Sequence, residues 1–179
     1  MDKLKLPTKE ECIELLKKNC ATDNVIEHSI MVSKIAKHLA EKLVKKGIKV
    51  NVELVEKAAL LHDIGKIKCI KNNNERGHGK KAEEILKNAG YPELGKLAKM
   101  HMLSRVDELK TWEEKVVFYA DKRISRRKVV SLKKRYEDME KRYKIPEHKK
   151  TPFEKLLKLE REIFDFLMET PEIIEMLIL

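Results

Sequence analysis

The tetrapeptide His62-Asp63-Ile64-Gly65 constrains this chain more than any other feature, because it closes the apolar run Ala58-Ala59-Leu60-Leu61 and has chemically matching residues on both sides. His28 lies upstream, and His78, His101 and Asp121 lie downstream, so four of the six histidines belong to the series. An adjacent His and Asp leave the backbone within one turn of each other and can bind one ion or two neighbouring ions.

Helical phase decides what these residues face. Val25, His28, Val32, Ile35 and Leu39 recur at steps of three and four, which puts His28 on the buried stripe of its helix. Val55, Ala58 and His62 follow the same rule, and Val117, Asp121 and Ile124 share one face after Val116-Val117-Phe118-Tyr119-Ala120. A carboxylate buried without a partner costs several kcal/mol, and a metal ion is the simplest partner for all three. A single histidine on an apolar stripe is more often a hydrogen-bonded core residue, and Ile64-Gly65 alone could be a helix stop. The complete, spaced set is what turns the reading towards metal.

The chain reads as helix after helix. Thr8, Thr111 and Thr151 each precede a Glu by three residues, the reciprocal pattern that satisfies free amides at a helix start. Gly47 and Gly90 mark stops, Asn51 caps the helix leading to His62, and Pro92 suits a first turn. Without a convincing period-two run, the expected fold is all-α, a helical bundle. The least structured stretch is expected at Lys66 to Gly77, with a second linker at Lys144 to Lys150. Residues 1–128 would form the core and 129–179 a basic, amphipathic helical extension packed on it.

With 179 residues and 42% hydrophobic content, one compact domain is the default. Neither a membrane span nor a secretory signal is visible, so a cytoplasmic protein with no membrane partner is expected. Three cysteines without a Cys-x-x-Cys pair argue against a disulfide framework or zinc knuckle. The absence of Gln and the Lys/Glu-heavy balance resemble proteins of hot-living organisms.

His28, then His62-Asp63, then Asp121 resemble the H…HD…D signature of the HD superfamily of metal-dependent phosphohydrolases, with Ile64-Gly65 matching its HDIG branch. The resemblance runs from about Val25 to Arg126 and includes the Tyr119-Ala120-Asp121-Lys122-Arg123 approach to the last Asp. It implies an all-helical bundle. In two-metal members, two more histidines lie between the HD pair and the last Asp, and His78 and His101 occupy such positions. Some relatives have a further His where this chain has Met102, which leaves the second ion's ligand set one group poorer or completed by water.

The resemblance thus implies that His28, His62, Asp63 and Asp121 hold one ion and that Asp63 bridges to a second held by His78 and His101. Two ions about 3.5 to 4 Å apart share a water, lower its pKa and present it to phosphorus, so no nucleophilic side chain is needed. Mixed His/carboxylate ligands suit manganese, iron, cobalt or magnesium, and the imidazoles disfavour an all-magnesium site, so one or two ions of manganese or iron are expected, with magnesium, cobalt, nickel or zinc as alternatives. Asp63 and Lys66 are the candidate catalytic residues, and Lys66, Arg105, Lys122 and Arg126 the candidate substrate-binding cations. The expected substrate is a nucleotide or another small phosphate ester. Two alternatives keep part of this picture: a di-iron oxygenase of the same superfamily, and a nucleic-acid-binding module.

The third possibility comes from charge. From Lys122 to Lys150 there are 13 Lys and Arg against 4 Asp and Glu, most of the formal net charge of +10. Val129, Leu132, Tyr136, Met139 and Tyr143 form a greasy stripe on this block, which reads first as a packed helix with a solvated cationic face and second as a funnel for polyanions. The apolar tail from Thr151 to Leu179 is expected to close the core or make a homo-oligomer contact. His38, out of phase with His28, and His148, in a Lys-rich linker, are expected bystanders.

Overall fold

The computed structural model describes residues 4–74, 77–143 and 151–177. Its elements in chain order are α1 (Lys9–Lys18), α2 (Asp23–Lys45), α3 (Val52–Leu61), α4 (Lys66–Lys71), α5 (His78–Asn88), α6 (Pro92–Lys99), a 3-10 helix (Leu103–Glu108), α7 (Trp112–Asp121), β1 (Ile124–Ser125), β2 (Lys128–Val129), α8 (Leu132–Tyr143), α9 (Phe153–Leu167) and a 3-10 helix (Pro171–Leu177). The fold is all-α, as the periodicity indicates. No described helix is long and apolar enough to cross a membrane.

Local chemistry starts and stops these helices where expected, with one exception. Thr8 and Thr111 form complete capping boxes with Glu11 and Glu114, and the Asn51 side chain accepts from the Leu54 amide at 3.0 Å. Gly47 and Gly90 end α2 and α5 at φ of +85° and +88°, a conformation that a Cβ disfavours. Thr151 is the exception: Pro152 takes the N-cap of α9, and the Thr151 hydroxyl instead donates to the Leu103 carbonyl at 3.4 Å.

Two segments differ from expectation. The stretch expected to be least structured opens with α4, which buries Cys69 and ends only at Asn72–Asn73, where Asn73 takes φ of +52°. Nothing between Lys66 and Lys71 breaks a helix, and the asparagines act only after it. The stripe expected to be helical from Val129 begins as a hairpin: Ile124 pairs with Val129 and Ser125 with Lys128, around Arg126 at φ of +56°. A turn without Gly or Asn carries no sequence signal. Ser131 then caps α8 by accepting from the Lys134 amide at 3.2 Å. The boundary expected after Lys128 therefore falls within β2. The linker expected at 144–150, with His148, lies outside the described residues.

Helix α2 runs through the centre, packed on α3 and α7, while α3 also meets α6 and α7, and α5 pairs with α6. Leu16, Ile35, Leu39, Leu43, Leu60, Leu61, Leu86 and Phe118 fill the core between them. From the tail, α9 adds Leu156, Ile163, Phe164 and Leu167. These contacts bring the ends of α3, α5, α6 and α7 to one place on the flank of α2.

Candidate metal centre

All six expected ligands meet there and all are buried: His28, His62, Asp63, His78, His101 and Asp121 are each at most 7% exposed. His28 comes from α2, His62 and Asp63 from the end of α3, His78 opens α5, His101 follows α6, and Asp121 is the last residue of α7. Three helix C-termini thus converge, and their partial negative charge favours a cation between them. Their free carbonyls are also put to use. His62 Nδ1 donates to the Ala59 carbonyl at 2.7 Å, and His101 Nδ1 donates to the Ala98 carbonyl at 2.6 Å. A carbonyl can only accept, so each bond fixes the ring with Nε2 turned to the cluster.

The four imidazoles form a chain, with centroids 5.4 Å apart for His28–His62, 4.7 Å for His62–His101 and 4.9 Å for His78–His101. Asp121 Oδ1 lies 3.1 Å from His28 Nε2 and 3.6 Å from His62 Nε2. Asp63 faces both ends: Oδ2 is 3.5 Å from His62 Nε2, while Oδ1 is 3.4 Å from His78 Nε2 and 3.7 Å from His101 Nε2. His78 and His101 bring their Nε2 atoms to 2.9 Å. Donor atoms of His28, His62 and Asp121 lie within 4.8 Å of one another, as do those of His62, Asp63 and His101.

These spacings fit a divalent ion. Ligand atoms about 2.1 Å from a common centre stand about 3.0 to 3.5 Å apart across octahedral or tetrahedral edges. His62 Nε2, fully buried, has no hydrogen-bond partner among the described residues, because 3.5 Å and 3.6 Å to the carboxylates are too long. The charge states agree. Burial opposes ionisation of Asp63 and Asp121, yet Lys66 with His62 and His78 around one, and Lys122 with His28 and His62 around the other, together outweigh it and hold both well below the ordinary carboxylate range. Burial pushes the His28 and His101 pKa down, leaving neutral rings with a lone pair. At His62 burial works the same way, but Asp63 and Asp121 win and raise its pKa to about 9: the field of the site draws positive charge.

Glycine at position 65 is required by space rather than by dihedral angle. A Cβ there would lie 2.8 Å from the His78 carbonyl oxygen and 2.9 Å from the Ala82 amide, so α5 could not come close enough to deliver His78. Gly79 plays the same part on the other side, since its Cβ would lie 2.5 Å from Met102 Cγ. Met102, the departure from relatives with a second His, packs against this backbone beside His78.

The expected cations are distributed unevenly. Lys66 Nζ is 2.6 Å from Asp63 Oδ2, at the cluster. Lys122 is buried against the ligands: 2% exposed, it donates to Asp121 Oδ2 at 2.5 Å and to the His101 carbonyl at 2.7 Å. Arg105 pairs with Glu108 on its own 3-10 helix, and Arg126 is exposed at the hairpin turn. His38 is outside the ligand groups. Sequence reasoning missed Arg135, which α8 directs inward until Nη2 is 3.6 Å from Asp121 Oδ1. It stands on the apolar stripe between Leu132 and Met139, both buried, and an arginine in that phase was the available signal.

A family profile described as the HD domain matches residues 25–126. An uncharacterized protein of Methanocaldococcus jannaschii is 33% identical over 148 residues, covering 74% of this chain and 85% of that protein. A tRNA (cytidine(56)-2'-O)-methyltransferase of Picrophilus torridus is 28% identical over 143 residues, covering 72% of this chain but 39% of that enzyme. No solved structure matches the chain significantly.

Proposed function

This chain belongs to the HD-domain family, within the superfamily of metal-dependent phosphohydrolases, and from that premise we propose that it hydrolyses a phosphoester or phosphoanhydride bond of a nucleotide or other small phosphate ester. The observation that carries the reading is the buried convergence of four imidazoles and two carboxylates with Lys66 at its edge. His28, His62, Asp63, His78, His101 and Asp121 would hold divalent ions, manganese or iron by preference, which when bound would lower the pKa of a water and offset charge on phosphoryl oxygens.

The chain's own residues do the rest. The Ala59 and Ala98 carbonyls orient His62 and His101, Lys122 keeps Asp121 ionised and in place, and Asp63 serves both halves of the ligand set. Lys66, on Asp63, stands ready to neutralise a phosphoryl oxygen as charge develops. The exposed Arg126, Arg127 and Lys128 of the hairpin raise the local concentration of an anionic substrate. Metal analysis of protein purified without chelators, followed by release of phosphate from a nucleotide panel, tests the reading. Bound iron with oxygen consumption and no phosphate release would replace it with the oxygenase.

A second reading, nucleic-acid binding by the basic block, draws support from the tRNA-modifying relative and the cationic surplus from Lys122 onwards. Aromatic residues make up only 5% of the chain, which disfavours a stacking surface. A gel-shift titration with tRNA at low salt decides it: sub-micromolar retention that falls steeply with salt moves the function towards RNA.

A further inference from the structure

We propose that Arg135 binds the phosphoryl oxygens of the substrate at the metal centre, an assignment that rests on the phosphohydrolase reading above. Arg135 is only 6% exposed, although a guanidinium is among the costliest groups to bury without partners. Its Nε has no hydrogen-bond partner among the described residues, and its nearest acidic neighbour, Asp121 Oδ1, is 3.6 Å from Nη2, beyond hydrogen-bond reach.

Asp121 does not need this arginine as a counter-ion. Its Oδ2 already accepts from Lys122 at 2.5 Å, and its Oδ1 lies 3.1 Å from His28 Nε2. The charge balance points the same way. With the imidazoles neutral, as ligands must be, the carboxylates of Asp63 and Asp121 face the cations of Lys66, Lys122 and Arg135, so one positive charge is in surplus before the charge of any divalent ion is added. Each ion adds two more. A buried centre this positive is completed by a multiply charged oxyanion, and a planar guanidinium whose Nε has no partner among the described residues matches phosphate in shape as well as charge. Of the basic block from Lys122 onwards, Arg135 is the member of α8 buried against the ligands, while Lys133 and Lys134 beside it are exposed.

The experiment measures binding of inorganic phosphate to the metal-loaded full chain by calorimetry, with metal content and melting temperature recorded in parallel, for wild type, R135M and R135K. The expected result is that R135M weakens phosphate by about 10- to 100-fold while keeping wild-type metal stoichiometry, and that R135K falls between, because it restores charge without the paired donors. Wild-type phosphate affinity in R135M overturns the assignment, and so does loss of metal from R135M, which would make Arg135 a support for Asp121. If wild type releases phosphate from nucleotides yet R135M binds phosphate unchanged, the function stands and this role falls. If wild type takes up no phosphate and hydrolyses none, both fall. Should R135M not fold, R135K decides: several-fold weaker phosphate is expected, and unchanged affinity counts against the proposal.

Discussion

His62 Nδ1 is bonded to the carbonyl of Ala59, 2.7 Å away and three residues earlier, so the end of α3 itself determines which ring nitrogen meets the cluster. The same pairing of His101 with Ala98 ends α6. In each case a helix that runs out of amide donors completes its last turn with a ligand ring, and the ligand's orientation becomes as rigid as the helix.

Replacing His62 and Asp63 together by Ala removes a residue from each half of the ligand set. We expect metal content to fall to background and turnover by at least about a hundredfold, with far-UV circular dichroism near wild type because α3 ends before the changes. The control is H38N, which should retain activity within a few-fold. Full metal stoichiometry in the double variant would refute the ligand assignment.

Gly65→Ala places a methyl group against the backbone of α5, 2.8 Å from the His78 carbonyl oxygen. Backbone cannot rotate away, so α5 must move, at a cost of about 1–3 kcal/mol in stability. His78 moves with it. Metal stoichiometry should drop and activity fall at least about tenfold, while His28, His62 and Asp121 keep their positions. An unaltered metal content and melting curve would show that the two helices have slack.

Lys122→Met leaves an apolar side chain of similar length in a site 2% exposed, but deletes the donor to Asp121 and to the His101 carbonyl. Metal affinity should weaken about 10- to 100-fold, as for other residues that orient ligands, and excess metal should recover most of the turnover. If saturating metal recovers none of it, Lys122 acts on the substrate after all.

Burial raises the Cys12 thiol from its ordinary value of 9.0 to about 12, whereas Cys20 is exposed. Iodoacetamide at pH 8 should therefore label Cys20 and spare Cys12 in the native protein, as peptide mapping will show. Below pH 9 folded and unfolded chains both keep the Cys12 proton. Between about 9 and 12 the unfolded thiol ionises while the folded one does not, so this group's contribution to stability is lost over that window as pH rises. Cys12→Ala should flatten that part of the pH–stability curve.

The sequence by itself determined the helices, their caps at Thr8, Asn51 and Thr111, and the buried phase of His28, His62 and Asp121, because 3.6-residue periodicity and capping are local properties of a chain. It also marked His78 and His101 as members of the set by resemblance to a family. Only the tertiary structure decided how Asp63 divides its oxygens between two groups of histidines, or why residue 65 must be glycine, since both depend on how closely α5 approaches α3. The cations show the division most plainly. Lys66, Lys122 and Arg135 are equivalent letters in a basic sequence, yet packing puts one at the rim, one behind Asp121 and one, from a helix read first as a solvated face, beside the ligands. Charge is encoded locally; its distance from another charge, which sets what it does, comes from the contacts that α7, the hairpin and α8 make in three dimensions.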